Sequence, residues 1–117
     1  MTTTIMYEFT TLNEYIRIER GSLYGASAIK KRETEIARQH FINHPSIKTK
    51  CKIHFNWIMK NKRKDLDNIA FAKKYILDGM VKANVLLNDN TNHVVAFEDT
   101  YTMGNQWGVE VRIEEVD

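Results

Sequence analysis

Between Thr49 and Met59 apolar and polar side chains alternate, with Cys51, Ile53, Phe55, Trp57 and Met59 on one side and Lys50, Lys52, His54 and Asn56 on the other. Successive side chains of a strand point to opposite faces, so this period of two predicts a half-buried strand. The period then changes. Across Asp67–Ala83, the residues Ile69, Ala72, Ile76, Met80 and Ala83 recur at steps of three or four. That is the stripe of an amphipathic helix, and Asn84 is a suitable stop. A second stripe of Ile29, Ile36, Ala37 and Phe41 predicts a helix over Ser27–Phe41, with Ser27 as N-cap, ending before the break at Asn43-His-Pro-Ser46. Ile5–Phe9 is rich in β-formers and predicts a short opening strand; the two glycines of Arg20–Ala26 predict a loop. After a polar turn at Asn88–Asn92, His93–Tyr101 and Gly108–Glu115 predict two closing strands, the last alternating Val109, Val111 and Ile113 with Glu110, Arg112 and Glu114. The order β-α-β-α-β-β predicts an α+β fold, with a mixed or antiparallel sheet and two helices packed on one face.

A chain of 117 residues suits one domain spanning 1–117 with a single core. No apolar run approaches the roughly 20 residues that cross a bilayer. The opening Met1-Thr-Thr-Thr-Ile-Met has neither a basic nor an apolar region of the kind that marks a signal peptide, so none is expected. Cys51 is the only cysteine, which excludes an internal disulfide and fits a reducing cytoplasm; its place in the alternating strand predicts a core position. The net charge of +2 conceals a division. Arg20–Lys64 carries twelve cations against Glu33 and Glu35, a net of +10, whereas Asp65–Asp117 carries four against ten carboxylates, a net of −6. Such asymmetry fits a basic binding face beside an acidic site, and equally a set of unevenly charged solvated faces.

The two halves meet at Lys60-Asn-Lys-Arg-Lys-Asp-Leu-Asp-Asn68, where four cations stand directly before two carboxylates. Cations attract a polyanionic backbone, and paired aspartates repel one unless a divalent cation lies between them. A site holding both suits phosphates acted on by a metal, as in a metal-dependent nuclease. In extended backbone residues i and i+2 point to the same side, so Asp65 and Asp67 would converge on one hard cation. A single Asp-x-Asp is a common spacing, and either residue would also serve as the cap of the helix that follows.

Opposite the apolar stripe of that helix lie Asp67, Phe71, Lys74, Asp78 and Lys82. On a continuous helix Lys74 stands on the side of Asp67, roughly 10 Å along the axis, placed either for negative charge on a phosphate or simply for solvent. Asp89, within Asn88-Asp-Asn90, is a third acid and equally a turn residue. Gly-rich phosphate loops and Cys/His ligand sets are absent from the sequence, and His40, His44, His54 and His93 lack metal-ligand spacing. Trp57 and Phe71 are both candidates to stack on exposed bases, but alternation puts Trp57 on the apolar side of its strand and favours the core for it.

Together these residues resemble the RusA family of Holliday-junction resolvases, which is common in phages and prophages. The resemblance covers almost the whole length. It is strongest over Arg63-Lys-Asp-Leu-Asp-Asn68, Lys73-Lys74, Leu77-Asp-Gly-Met80 and Lys82-Ala-Asn-Val-Leu-Leu-Asn-Asp89, and weaker over Leu12-Asn-Glu-Tyr15 and the closing Gly108-Val-Glu-Val-Arg-Ile-Glu. It implies a homodimeric, Mg²⁺-dependent endodeoxyribonuclease of DNA recombination and repair, with Mn²⁺ a possible substitute, acting in the cytoplasm of a bacterial host. Such an enzyme nicks two strands symmetrically across a four-way DNA junction. The family's catalytic and metal-binding carboxylates fall on Asp65, Asp67 and Asp89, and its essential lysine on Lys74, counting back from Asp78. Two departures stand out. The stretch from Asp67 to Asp78 is about three residues longer than in the best-known member, so counting forward lands on Phe71, and Lys73 is a second candidate. Where some members have two aspartates, this chain has Asn88-Asp89.

The implied mechanism is phosphodiester hydrolysis. Lys60, Lys62, Arg63 and Lys64, with Lys73 and Asn13, would bind DNA, and their phosphate contacts would make affinity fall with salt. Two alternatives use the same residues: a less selective Mg²⁺ nuclease of branched DNA, and a non-catalytic junction-binding protein whose acids are caps and turns.

Overall fold

The computed structural model describes residues 1–116. Eight elements follow in the order β1 (Thr2–Ile5), α1 (Leu12–Gly21), α2 (Leu23–Phe41), β2 (Lys50–Met59), α3 (Leu66–Ala70), α4 (Lys73–Lys82), β3 (Val94–Met103) and β4 (Gly108–Val116). The fold is α+β, with helices packed against a four-stranded mixed sheet of order β1-β4-β2-β3. β2 pairs antiparallel with β4 and parallel with β3, so the chain crosses over through α3 and α4 between β2 and β3. Alternation decides which face is covered. Cys51, Ile53, Phe55, Trp57 and Met59 are buried beneath the helices with Val109 and Val111 of β4, while Lys50 and Lys52 of β2 are exposed on the other face.

Four elements differ from the sequence reading. The opening strand lies at Thr2–Ile5 rather than Ile5–Phe9. Arg20–Ala26 is not an open loop, because α1 runs through Gly21 and α2 begins at Leu23. The sharp turn between them is a cap: the Ser22 side chain accepts from the Gly25 amide, and Ser22, not Ser27, is the N-cap of α2. α1 itself starts at a capping box, in which Thr11 accepts from the Glu14 amide and the Glu14 carboxylate accepts from the Thr11 amide at 3.1 Å. Burial pushes the Glu14 carboxyl up, but the Thr11 bonds and nearby Lys64 and Arg17 hold it below its ordinary value.

The helix expected over Asp67–Ala83 is broken at Phe71-Ala72. There the backbone tightens into i→i+3 bonds, Ala72 to Ile69, Lys74 to Phe71 and Tyr75 to Ala72. Phe71 turns toward Tyr15 and Tyr75, with ring centroids 5.7 Å from each. The end of α4 follows the expectation. Asn84, at φ 63°, occupies the left-handed region just past the C-cap, and the Val85 amide returns to the Met80 carbonyl. α2 and α4 cross at Gly79, where a Cβ would stand 2.7 Å from that of Ala37 and 2.8 Å from the Arg38 amide nitrogen. Only a glycine permits that approach. Among the described residues no helix is long and apolar enough to cross a membrane.

Candidate functional site

β2 ends at Met59 and leads into a loop, Lys60–Lys64. The Asn61 side-chain oxygen accepts the Arg63 amide at 3.0 Å, which folds the loop back on itself. Lys60, Lys62 and Arg63 are exposed and unengaged by any ion pair among the described residues, so three of the four cations face solvent. Lys64 turns inward, 2.8 Å from the Glu8 carboxylate and 4.4 Å from the centroid of the Trp107 ring. Its charge is thus half spent within the fold.

Asp65 follows as the N-cap of α3, in extended backbone, yet its side chain makes no capping hydrogen bond. Asp67 lies in the first turn, where one carboxylate oxygen accepts the Asn68 amide at 3.0 Å. Because the chain becomes helical at Leu66, the two-residue rule of strands does not apply; both carboxylates are exposed at one helix start, beside the amide-rich positive end of the helix. Asn68 is buried, and its side-chain oxygen accepts the Asn13 amide at 3.0 Å. That bond fastens the start of α3 to the start of α1. The Asn13 side chain itself is exposed.

The break at Phe71-Ala72 separates the two lysines. Lys73 reaches over the sheet to β3, where its ammonium lies 2.7 Å from Asp99 and 4.8 and 5.3 Å from the ring centroids of Phe97 and Phe55. The other Asp99 oxygen accepts the Trp57 indole N–H at 2.8 Å. Tyr101, two residues on, donates its hydroxyl to the Leu66 carbonyl at 3.3 Å. Burial, then the charges of Asp99 and Asp67, push the Tyr101 hydroxyl above its ordinary value. Asp99 and Tyr101 were missed from sequence, although a carboxylate at an inward position between Phe97 and Tyr101 is a visible anomaly. Lys74 points elsewhere. It lies 3.6 Å from Asp78 and lines a cleft with Tyr15, Lys30, Phe71 and Tyr75.

Asp89 stands apart from the start of α3. It lines an open cleft of about 480 Å³ between α2 and α4, with Lys30, Lys31, Asp78, Lys82 and Asn88, and its amide donates to the Asn88 side chain at 2.7 Å. Among the described residues no group of three or more His, Cys, Asp or Glu side chains is arranged to hold a metal ion. The donor chemistry of the helix start nevertheless fits a hard cation, since Asp65 and Asp67 present exposed carboxylates of which only one oxygen is engaged. Asp65 and Asp67 share that helix start, whereas Asp89 lines the cleft between α2 and α4.

The histidines lie away from this region. His54, on the open face of the sheet, is held between Glu98 at 3.0 Å and Glu114 at 2.9 Å, and its bond holds the Glu114 carboxyl below its ordinary value. His40 and His44 bond the carbonyls of Ile36 and Pro45. His93 lines a separate cavity of about 470 Å³ with Ser46, Lys48 and Asn84.

Compared with protein-family models and with curated proteins, the chain matches none.

Proposed function

We propose that this protein is a Mg²⁺-dependent endodeoxyribonuclease that resolves four-way DNA junctions by paired nicks, acting as a two-fold dimer. The observation that carries the reading is the loop-to-helix junction Lys60–Asn68. There, three solvent-facing cations lead directly into two exposed carboxylates at a helix start. The family resemblance of the same block supplies the substrate. A dimer suits a junction because two like sites face two like strands.

Each residue then has a task. Lys60, Lys62 and Arg63 hold phosphates flanking the cut and fix the register of the strand. Asp65 and Asp67 are the residues that would hold Mg²⁺, which when bound supplies polarisation of the scissile phosphate and a water of lowered pKa. Asn68 positions these acids by anchoring the helix start to α1 through the Asn13 amide. Lys73 and Lys74 are both candidates for the cation that offsets charge on the phosphate oxygens. Lys73 is neutralised by Asp99 and Lys74 is half-exposed beside Asp78, so Lys74 has the freer ammonium. Asp89 is the third acid by resemblance.

The placement of Asp89 among Lys30, Lys31 and Lys82 favours a second reading, a junction-binding protein without cleavage. Replacing Asp67 with Asn separates the two. The resolvase reading expects cleavage to fall by a factor of at least about 10² while junction binding is unchanged or tighter. Wild-type cleavage by the Asp67→Asn protein defeats the assignment, and binding by the wild type without cutting in any divalent metal establishes the second reading.

A further inference from the structure

Between α1, α2 and the α3–α4 turn lies a cleft of about 460 Å³ whose walls are the rings of Tyr15, Phe71 and Tyr75 and whose rim carries Lys30 and Lys74. Its lining is aromatic, and Tyr15 and Phe71 are only partly buried. The two rings lie 5.7 Å apart and are tilted by 44°, so their faces are not closed against each other. Lys30 makes no ion pair among the described residues, and Lys74 has 54% of its side chain exposed with Asp78 no nearer than 3.6 Å. Lys30 also belongs to the neighbouring cleft, which continues along α2 and α4 past Lys31 and Lys82. The aromatic rings therefore share one cleft with the ammonium groups of Lys30 and Lys74, and the adjoining cleft sets Lys31 and Lys82 beside the carboxylates of Asp78 and Asp89.

We infer that this cleft receives an unstacked base of a single DNA strand, stacked on Phe71 and Tyr15, with Lys30 and Lys74 on the phosphates to either side. The chemistry selects that ligand. A duplex buries its base faces and presents only edges in its grooves, so exposed rings have nothing to stack on; an unpaired strand offers both a π-face and phosphates at every step. The inference rests on the proposed DNA reading and adds a site for the unpaired strand, one that shares Lys74 with the cleavage machinery proposed above.

The test uses the full chain and two probes, a short oligothymidylate carrying one 2-aminopurine and a duplex of the same length. The wild type is expected to bind the single strand and quench its fluorescence. Phe71→Leu and Tyr15→Leu are each expected to weaken that binding about tenfold, the scale of one lost stack, and to leave duplex binding unchanged. Lys30→Gln is expected to lower the slope of log affinity against log salt by about 0.7. Thermal melts establish that each variant is folded, and two aromatic variants are made so that either one decides if the other fails to fold. If both folded variants bind the single strand as the wild type does, or the wild type binds duplex and junction but no single strand, the cleft is not the site and the DNA reading stands. If the wild type binds neither probe nor a four-way junction, both fall.

Discussion

The ammonium of Lys73 lies 2.7 Å from the Asp99 carboxylate, joining the first turn of α4 to the edge strand β3. The pair is mostly withdrawn from solvent and receives the Trp57 indole N–H as well. Removing one partner of such a pair strands the other. Asp99→Ala is expected to cost about 2 kcal/mol, the scale of a lost charged hydrogen bond in a partly buried site, and to change Trp57 fluorescence. Urea unfolding followed at tryptophan measures both. A loss below about 0.5 kcal/mol, the range of surface substitutions, contradicts this account of how α4 is fixed.

The α2–α4 crossing depends on Gly79. A methyl there meets Ala37 at 2.7 Å and the Arg38 backbone at 2.8 Å, and backbone does not give way as a flexible side chain does. Gly79→Ala is expected to destabilise the fold by about 1–3 kcal/mol, despite the better helix propensity of alanine. An unchanged or higher melting temperature would show that the helices cross with more room.

Acid should weaken α1. The Glu14 carboxyl is held below its ordinary value of 4.5 in the folded chain. A depressed folded pKa means stability that is complete above the unfolded value and is lost as pH falls through the folded one. Removal of the capping box by Glu14→Ala is expected to cost about 1 kcal/mol at neutral pH. That cost should shrink progressively below about pH 4.5, read as converging urea midpoints of the two proteins. Parallel midpoints across this range would contradict the assignment.

The exposed cations of the β2–α3 loop should act on DNA and not on the fold. Lys62→Gln with Arg63→Gln is expected to leave melting within about 0.5 kcal/mol of wild type. The same change should lower the salt slope of junction binding by about 1.8, at about 0.9 per phosphate contact. Lys64→Gln is expected to behave differently and reduce stability, because its ammonium engages Glu8 and Trp107.

What was legible in the sequence was whatever repeats with a regular period. The alternation of Cys51 to Met59 located β2 and its buried face, and Asn84 marked the end of α4 because a residue tolerant of positive φ was required there. Short-range chemistry is legible too: Thr11 and Glu14 stand at capping-box spacing and Ser22 stands just before the first residue of α2, although the glycines at 21 and 25 favour a loop. The break at Phe71 is hidden in the sequence because an apolar stripe continues through it, and it shows only in the tightened backbone bonds and in the packing of Phe71 on Tyr15 and Tyr75. That break governs the site. It breaks the alignment of Lys74 with Asp67 and gives the reach across the sheet to Lys73, whose partner Asp99 lies 26 residues away and leaves no local trace. The resemblance to a resolvase family implies three acids, Asp65, Asp67 and Asp89, whereas the fold puts Asp65 and Asp67 at the start of α3 and Asp89 beside lysines of α2 and α4.

The most direct test of the central claim is cleavage of a labelled synthetic four-way junction by the purified protein, in Mg²⁺ and in EDTA, beside a linear duplex of the same sequence. The account predicts paired symmetric nicks confined to the junction, present in Mg²⁺ and absent in EDTA. Junction binding with no cleavage in Mg²⁺ or Mn²⁺, or cutting that ignores EDTA, would contradict it.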